Sequence, residues 1–377
     1  MSTIHWTEMN TPRSARWHSE SATPPPSRVI AADDRMKADA AYRLACEGTA
    51  LLWRGDFHNA RQLLQAMGRR INRKPSRQSD SPAHSFHLHR RARSDRARVL
   101  GKLLVRLEAD YGLNLRRAPD VRQACTEAYG PPSEPMAVPL TELLGVIGAH
   151  QWRVKGAEVP ALDARIHPHY GVFSPVRGEY VDLVAHAPLP APTGRRARRR
   201  TAIDVGTGTG VLAAVLAQRG IDHVVATDIS PRALACAREN VRRLQLTGRV
   251  DIVGPGLFPD GRAGLVVCNP PWIPARPTSA VEQGVYDPGS SMLRDFLDGL
   301  TAHLEPGGEG WLILSDLAER LGLRTRGELL AGIKAAGLHV VDRIDTRPRH
   351  PRARDADDPL HAARATEVTS LWRLAGT

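Results

Sequence analysis

Thr201-Ala-Ile-Asp-Val-Gly-Thr-Gly-Thr-Gly210 is the stretch on which the fold turns. An apolar strand runs into three glycines at alternate positions, and Val211 to Gln218 continues as a helix. Gly206, Gly208 and Gly210 let the backbone approach a ligand at the start of that helix. The dinucleotide fingerprint GxGxxG, counted from Gly206 and Gly208, would want glycine where Val211 stands, so a nicotinamide dehydrogenase is disfavoured. The next strand ends in Thr227-Asp228, and 228 minus 208 gives 20, the separation at which an acidic side chain reaches a ribose diol. Asp228 is therefore expected to accept both ribose hydroxyls, and Asp204 to face the positive amino group of a methionine moiety. The other reading, in which both carboxylates only cap loops, stays open. Ser230-Pro231 supplies an N-cap and a first helical position beside this pocket.

Downstream the chain alternates strand and helix. Strands are predicted at 201–205, 223–228, 250–253, 265–269, 310–315, 339–345 and 367–374. Helical stripes lie between them, such as Leu234, Ala237, Val241 and Leu244, or Leu293, Phe296, Leu297, Leu300 and Leu304. Seven strands with alternating helices predict an α/β, Rossmann-like doubly wound sheet. Its last two strands are too close for a helical crossover and so run antiparallel. At the end of the fourth strand stands Asn269-Pro270-Pro271-Trp272. Asn269 can accept a hydrogen bond from one N–H of a planar nitrogen, the Pro270 carbonyl can accept a second, and the Trp272 ring can cover the flat group. That is the chemistry needed to methylate an amide or amino nitrogen. A plain strand-ending turn would explain the prolines alone, but not the glycine cradle beside them.

Towards the amino terminus, residues 1–32 are polar and carry Pro24-Pro25-Pro26, which predicts a flexible tail. Ala60, Leu63, Leu64, Met67 and Ile71 share one helical face after a Gly55-Asp56 turn, and Leu100, Leu103, Leu104, Leu107 and Tyr111 repeat the stripe. Residues 33–140 are accordingly predicted to form an all-helical domain. Residues 141–199 are read as a connecting β-hairpin, with Val154, Val159, Ile166, Val172, Phe173, Val181, Leu183 and Val184 among turn signals, followed by a basic linker. Five arginines between Arg195 and Arg200 lead from it into the domain at 200–377.

The 377 residues are 42% hydrophobic, enough for two domains. Fifty-two Lys+Arg against 40 Asp+Glu give +12, which favours nucleic acid, ribosomes or acidic proteins as partners, although a solvated surface of scattered arginines accounts for the same excess. The Arg90–Arg98 and Arg195–Arg200 stretches are the basic segments through which such a contact would be made. Cys46, Cys125, Cys236 and Cys268 have no ligand or disulfide spacing, and His84, His87 and His89 lack a Cys or acidic partner nearby, so no metal site is expected. No apolar run approaches the ~18 residues of a bilayer crossing. A reduced, cytoplasmic protein that does not enter membranes is expected.

Asp204 to Gly210, Asp228 and Asn269 to Trp272, in this order on this strand pattern, resemble a class I S-adenosylmethionine-dependent methyltransferase, and more narrowly the HemK/PrmC-type protein-glutamine N5-methyltransferases. Gly171-Val-Phe-Ser-Pro-Val-Arg177-Gly-Glu179 is similar to that family's proline- and arginine-containing segment, and Tyr286-Asp287-Pro288 to its Glu-Pro step. The likeness covers roughly residues 145–377, and the amino-terminal domain matches in type only. The resemblance implies S-adenosyl-L-methionine held by Asp204, Gly206, Thr207, Gly208, Thr209, Gly210, Asp228 and Ile229, with Leu257 near the adenine and Asn269 touching both cofactor and acceptor. It implies Asn269, Pro270, Pro271 and Trp272 as the catalytic clamp, and a macromolecular acceptor, the glutamine loop of a release factor.

Three positions depart from the family pattern. Trp272 replaces a tyrosine, Gly256 an aspartate before the adenine-side residue, and Gly264 an aspartate early in the fourth strand. Losing one acceptor to a ligand costs on the order of 1 kcal/mol, a several-fold change in affinity. Two other functions fit the residues. Trp272 and the net charge suit an adenine N6-methyltransferase acting on RNA or DNA, with a flipped base under the indole. Gly256 and Gly264 suit a basic RNA- or ribosome-binding protein with weakened catalysis.

Overall fold

The computed structural model describes residues 2–72, 81–191, 200–279, 281–349, 355–356 and 358–377. Two compact units result, Met1–Asp80 with His84–Gln151 and Ser81–Ala83 with Trp152–Thr377.

The first unit corrects the all-helical expectation. β1 (Thr3–Glu8), β2 (Thr11–Trp17), β3 (Val29–Ala32), β4 (Ala50–Trp53), β5 (Leu103–Leu107) and β6 (Met136–Pro139) form one mixed sheet in the order β1-β2-β6-β5-β4-β3. Half of it comes from the stretch expected to be a tail. There Ile4 and Trp6 alternate with exposed polar residues and point into the core, and Met9-Asn10 make a tight hairpin turn with φ of 48° and 61°. The second helical stripe fails for a different reason. The helix Pro82–Leu100 ends at the first residue of the pattern, and Leu103, Leu104, Val105 and Leu107 are all fully buried. A strand covered on both faces loses its two-residue alternation, and leucines three and four apart then imitate a helix. The helix Phe57–Asn72 buries Ala60, Leu63, Leu64 and Met67, the face its periodicity predicts. Asp56 opens it, its Oδ1 accepting the His58 N–H at 2.8 Å.

In the second unit β7 (Ala157–Val159) and β8 (Ala164–Ile166) make the predicted antiparallel hairpin. Val181, Leu183 and Val184, counted with that hairpin, instead lie on the helix Glu179–His186, where packing against the core overrides their β preference. The arginine run at 195–199 lies outside the described residues, as does the polar break at 73–80. Seven strands follow: β9 (Thr201–Val205), β10 (His223–Thr227), β11 (Val250–Val253), β12 (Ala263–Cys268), β13 (Leu304–Ser315), β14 (Leu338–Thr346) and β15 (Thr369–Gly376). They are ordered β11-β10-β9-β12-β13-β15-β14, and β15 runs antiparallel to both neighbours. This is the Rossmann-like α/β fold expected for residues 200–377. Successive side chains serve opposite faces: Leu265, Val267, Trp311 and Ile313 join one core layer, and Val266, Cys268, Leu312 and Leu314 the other. Strand order reverses at β9, whose partners are β10 and β12, and in sheets of this kind the ligand crevice lies at this switch point, beyond the carboxyl ends of the strands.

Candidate functional site

The glycine turn leaves β9 at this reversal. Gly206, Gly208 and Gly210 have φ of 72°, 55° and 83°, left-handed values that ordinary residues avoid. A β-carbon at Gly208 would meet nothing within 4 Å, whereas one at Gly210 would lie 3.3 Å from the Ala237 backbone. Gly208 therefore faces open space, and Gly210 permits the close approach of a second helix. The Thr207 N–H donates to the Thr227 carbonyl at 2.8 Å, tying the turn to the end of β10.

Asp204 is almost wholly buried, and one of its oxygens, Oδ2, accepts both the Thr207 hydroxyl at 2.6 Å and the Ala213 N–H at 3.0 Å. Burial pushes this carboxyl up to about 6, against the pull of those two bonds and with a further push from Asp228. The geometry gives Asp204 the loop-bracing role, from strand to turn to helix start. Asp228 is half-buried; it accepts the Gly208 N–H at 3.0 Å on Oδ2 and the Ser230 N–H at 2.8 Å on Oδ1, and with the Ile229 N–H also directed at the carboxylate one lone pair is left for a ligand. Burial raises its pKa, opposed by backbone N–H groups of Ser230, Gly208 and Ile229. Ile229 beside it is exposed. Leu257 is partly buried and held near by two bonds, Thr227 Oγ1 to the Leu257 carbonyl at 2.7 Å and Gly256 N–H to the Asp228 carbonyl at 3.1 Å. Thr209 is buried, and its carbonyl accepts Asn240 Nδ2 at 3.0 Å; the same amide nitrogen reaches the His167 carbonyl at 3.2 Å. Gly264 marks a register shift at the amino-terminal end of β12, the end away from this turn, so the aspartate missing there does not bear on the crevice.

On the other side of the crevice, Cys268 is registered opposite Val205, so Asn269 and Gly206 are the first residues beyond two adjacent parallel strands. The fully buried Cys268 thiol is pushed well up, chiefly by burial and further by the negative charges of Asp204, Asp228 and Asp287. Asn269 is half-exposed, and its Oδ1 accepts the Trp272 indole N–H at 2.8 Å. Pro270 is buried, and among the described residues no donor reaches its carbonyl. The segment then bridges Ile273 to Tyr286, with the Asp287 N–H donating to the Ile273 carbonyl at 2.9 Å. Asp287 caps the helix Ser291–His303, accepting the Met292 N–H at 3.1 Å and the Leu293 N–H at 3.2 Å.

Sequence reading left one contact unseen. Arg177 lies with its guanidinium carbon 5.0 Å from the centre of the Trp272 ring. Its Nε donates to Glu179 at 2.9 Å and its Nη2 to Glu367 at 3.0 Å. Arg177 and Glu179 stand in the Gly171–Glu179 segment, but nothing local in that segment points to position 272. Among the described residues no group of three or more His, Cys, Asp or Glu is placed to hold a metal.

Residues 163–320 match the family described as the methyltransferase small domain. This part of the chain has the fold of a class I methyltransferase domain. A release factor glutamine methyltransferase of Cereibacter sphaeroides is 35% identical over 173 residues, covering 41% of this chain and 59% of that protein. The release factor glutamine methyltransferase of Deinococcus radiodurans is 34% identical, covering 43% and 60%. A ribosomal protein L11 methyltransferase of Pelotomaculum thermopropionicum is 34% identical, covering 38% and 39%. The chain thus spans about three fifths of the length of the first two relatives.

Proposed function

We propose that this protein uses S-adenosylmethionine to methylate a planar amide nitrogen, the side chain of a glutamine in a protein loop of the release-factor kind. The observation that carries the reading is the place of Asn269, one residue beyond the paired ends of β9 and β12 and level with the glycine turn. The residues fit this cofactor. Gly208 opens on unfilled space, and the Asp228 carboxylate beside it keeps a lone pair for a ribose hydroxyl. When bound, the cofactor would supply an electrophilic methyl group that leaves sulfur as a neutral thioether while the N–C bond forms, and the nitrogen would give up one of its two protons to solvent. The residues align the acceptor. An amide nitrogen is a poor nucleophile, and accepting its two N–H groups at Asn269 Oδ1 and the Pro270 carbonyl polarises them and holds the nitrogen in line with the methyl carbon. A cytoplasmic site of action goes with such an acceptor.

Incubation with S-adenosylmethionine and a release factor should raise the mass of the glutamine-bearing peptide by one methylene. Asn269→Ala is expected to abolish transfer while calorimetry still detects the cofactor; near-native turnover would remove the clamp assignment. Asp228→Ala is expected to weaken cofactor binding by about tenfold or more, the effect of losing hydrogen bonds from a charged acceptor.

A further inference from the structure

We propose that Arg177 is a positioning residue for the acceptor nitrogen, acting through the Trp272 indole on Asn269. The proposal rests on the reading that Asn269 receives that nitrogen.

Arg177 is held more firmly than an ordinary ion pair requires. Glu179 and Glu367 are 3% and 1% exposed, and they take the guanidinium on Nε and Nη2, the two donors of one edge. Glu367 is fixed in turn, its Oε1 also accepting the Ser315 hydroxyl at 2.6 Å. Two bonds along one edge hold the cation, whose guanidinium carbon lies over the Trp272 ring. Collecting two buried carboxylates around one cation costs desolvation that a single pair would avoid, and Glu367 Oε2 stays buried without a hydrogen-bond partner. The cluster meets the acceptor clamp at one ring. The indole N–H then decides which way the Asn269 carboxamide points: its oxygen must face Nε1, because the amide NH2 turned there would set donor against donor. With the oxygen so held, its second lone pair is left for the acceptor N–H. Arg177 fixes the ring, and the ring fixes the amide.

The test is a double-mutant cycle of Arg177→Lys and Trp272→Phe, read by turnover on a release factor and by the indole N–H resonance of Trp272, identified as the signal missing from Trp272→Phe. Lysine keeps a charge for both glutamates but has neither the planar fork nor the stack. Arg177→Lys is expected to lower kcat about tenfold with KM for S-adenosylmethionine within about twofold, and to move the indole resonance. In the Trp272→Phe background the same change should alter kcat by less than about twofold. An equal loss in both backgrounds, or an unmoved resonance, overturns the proposal. Should Arg177→Lys unfold the protein, the neutral variant Arg177→Met with Glu179→Gln and Glu367→Gln supplies the same comparison. If the wild-type chain modifies no glutamine while the resonance still moves, the acceptor reading fails and the coupling of Arg177 to the ring stands.

Discussion

Asp204 shows how one residue can serve a site at a cost to the fold. An aspartate in the unfolded chain titrates near 3.9, and burial raises this one to about 6, so folding penalises its charged form. The penalty is absent below about pH 4, grows as pH rises to about 6 and is constant above that. Asp204→Asn can keep both bonds, since a single oxygen accepts them. The Asn variant should therefore gain on the order of 1–3 kcal/mol over wild type between pH 4 and pH 7. Melting curves across that range measure the gain, and a pH-independent difference would show that Asp204 ionises without cost. At this scale the sequence was readable where spacing along the chain carries the geometry, as with Gly208 and Asp228 or Asn269 and Trp272. It was silent on Arg177 over Trp272, because a stack between distant segments has no local pattern.

The glycine turn separates two kinds of glycine within one element. Gly208→Ala meets no atom and should cost only about 1–2 kcal/mol for its left-handed φ, while placing a methyl in the space assigned to the cofactor. Gly210→Ala carries the same φ penalty and also presses on the Ala237 backbone, so it should be the less stable of the two in urea. Calorimetry should rank them the other way for damage to ligand affinity per unit of stability lost. The strands of the second unit were legible because turn residues and amphipathic helices punctuate them, and β9 and β11 fall on the predicted residues. β4 and β5 were not, because strands of four and five residues buried on both faces carry no alternation to detect.

For the molecule as a whole, the largest departure from expectation is residues 3–32. Removing residues 1–32 as if they were a tail would delete β1, β2 and β3, three of the six strands of the first unit, and uncover the core around Ala50, Leu52, Leu104 and Ala137. Limited proteolysis of that truncation should find the first unit digested; a protected fragment would mean the three strands are dispensable. The second unit has its own vulnerability. β15 lies between β13 and β14, and Arg177 reaches Glu367 across a sequence separation of 190 residues. Until the last strand slots in, β13 presents a bare apolar border to any neighbouring chain. Refolding from denaturant should therefore be slow, and its yield should drop as protein concentration rises, with stray strands from other molecules competing for the vacant slot.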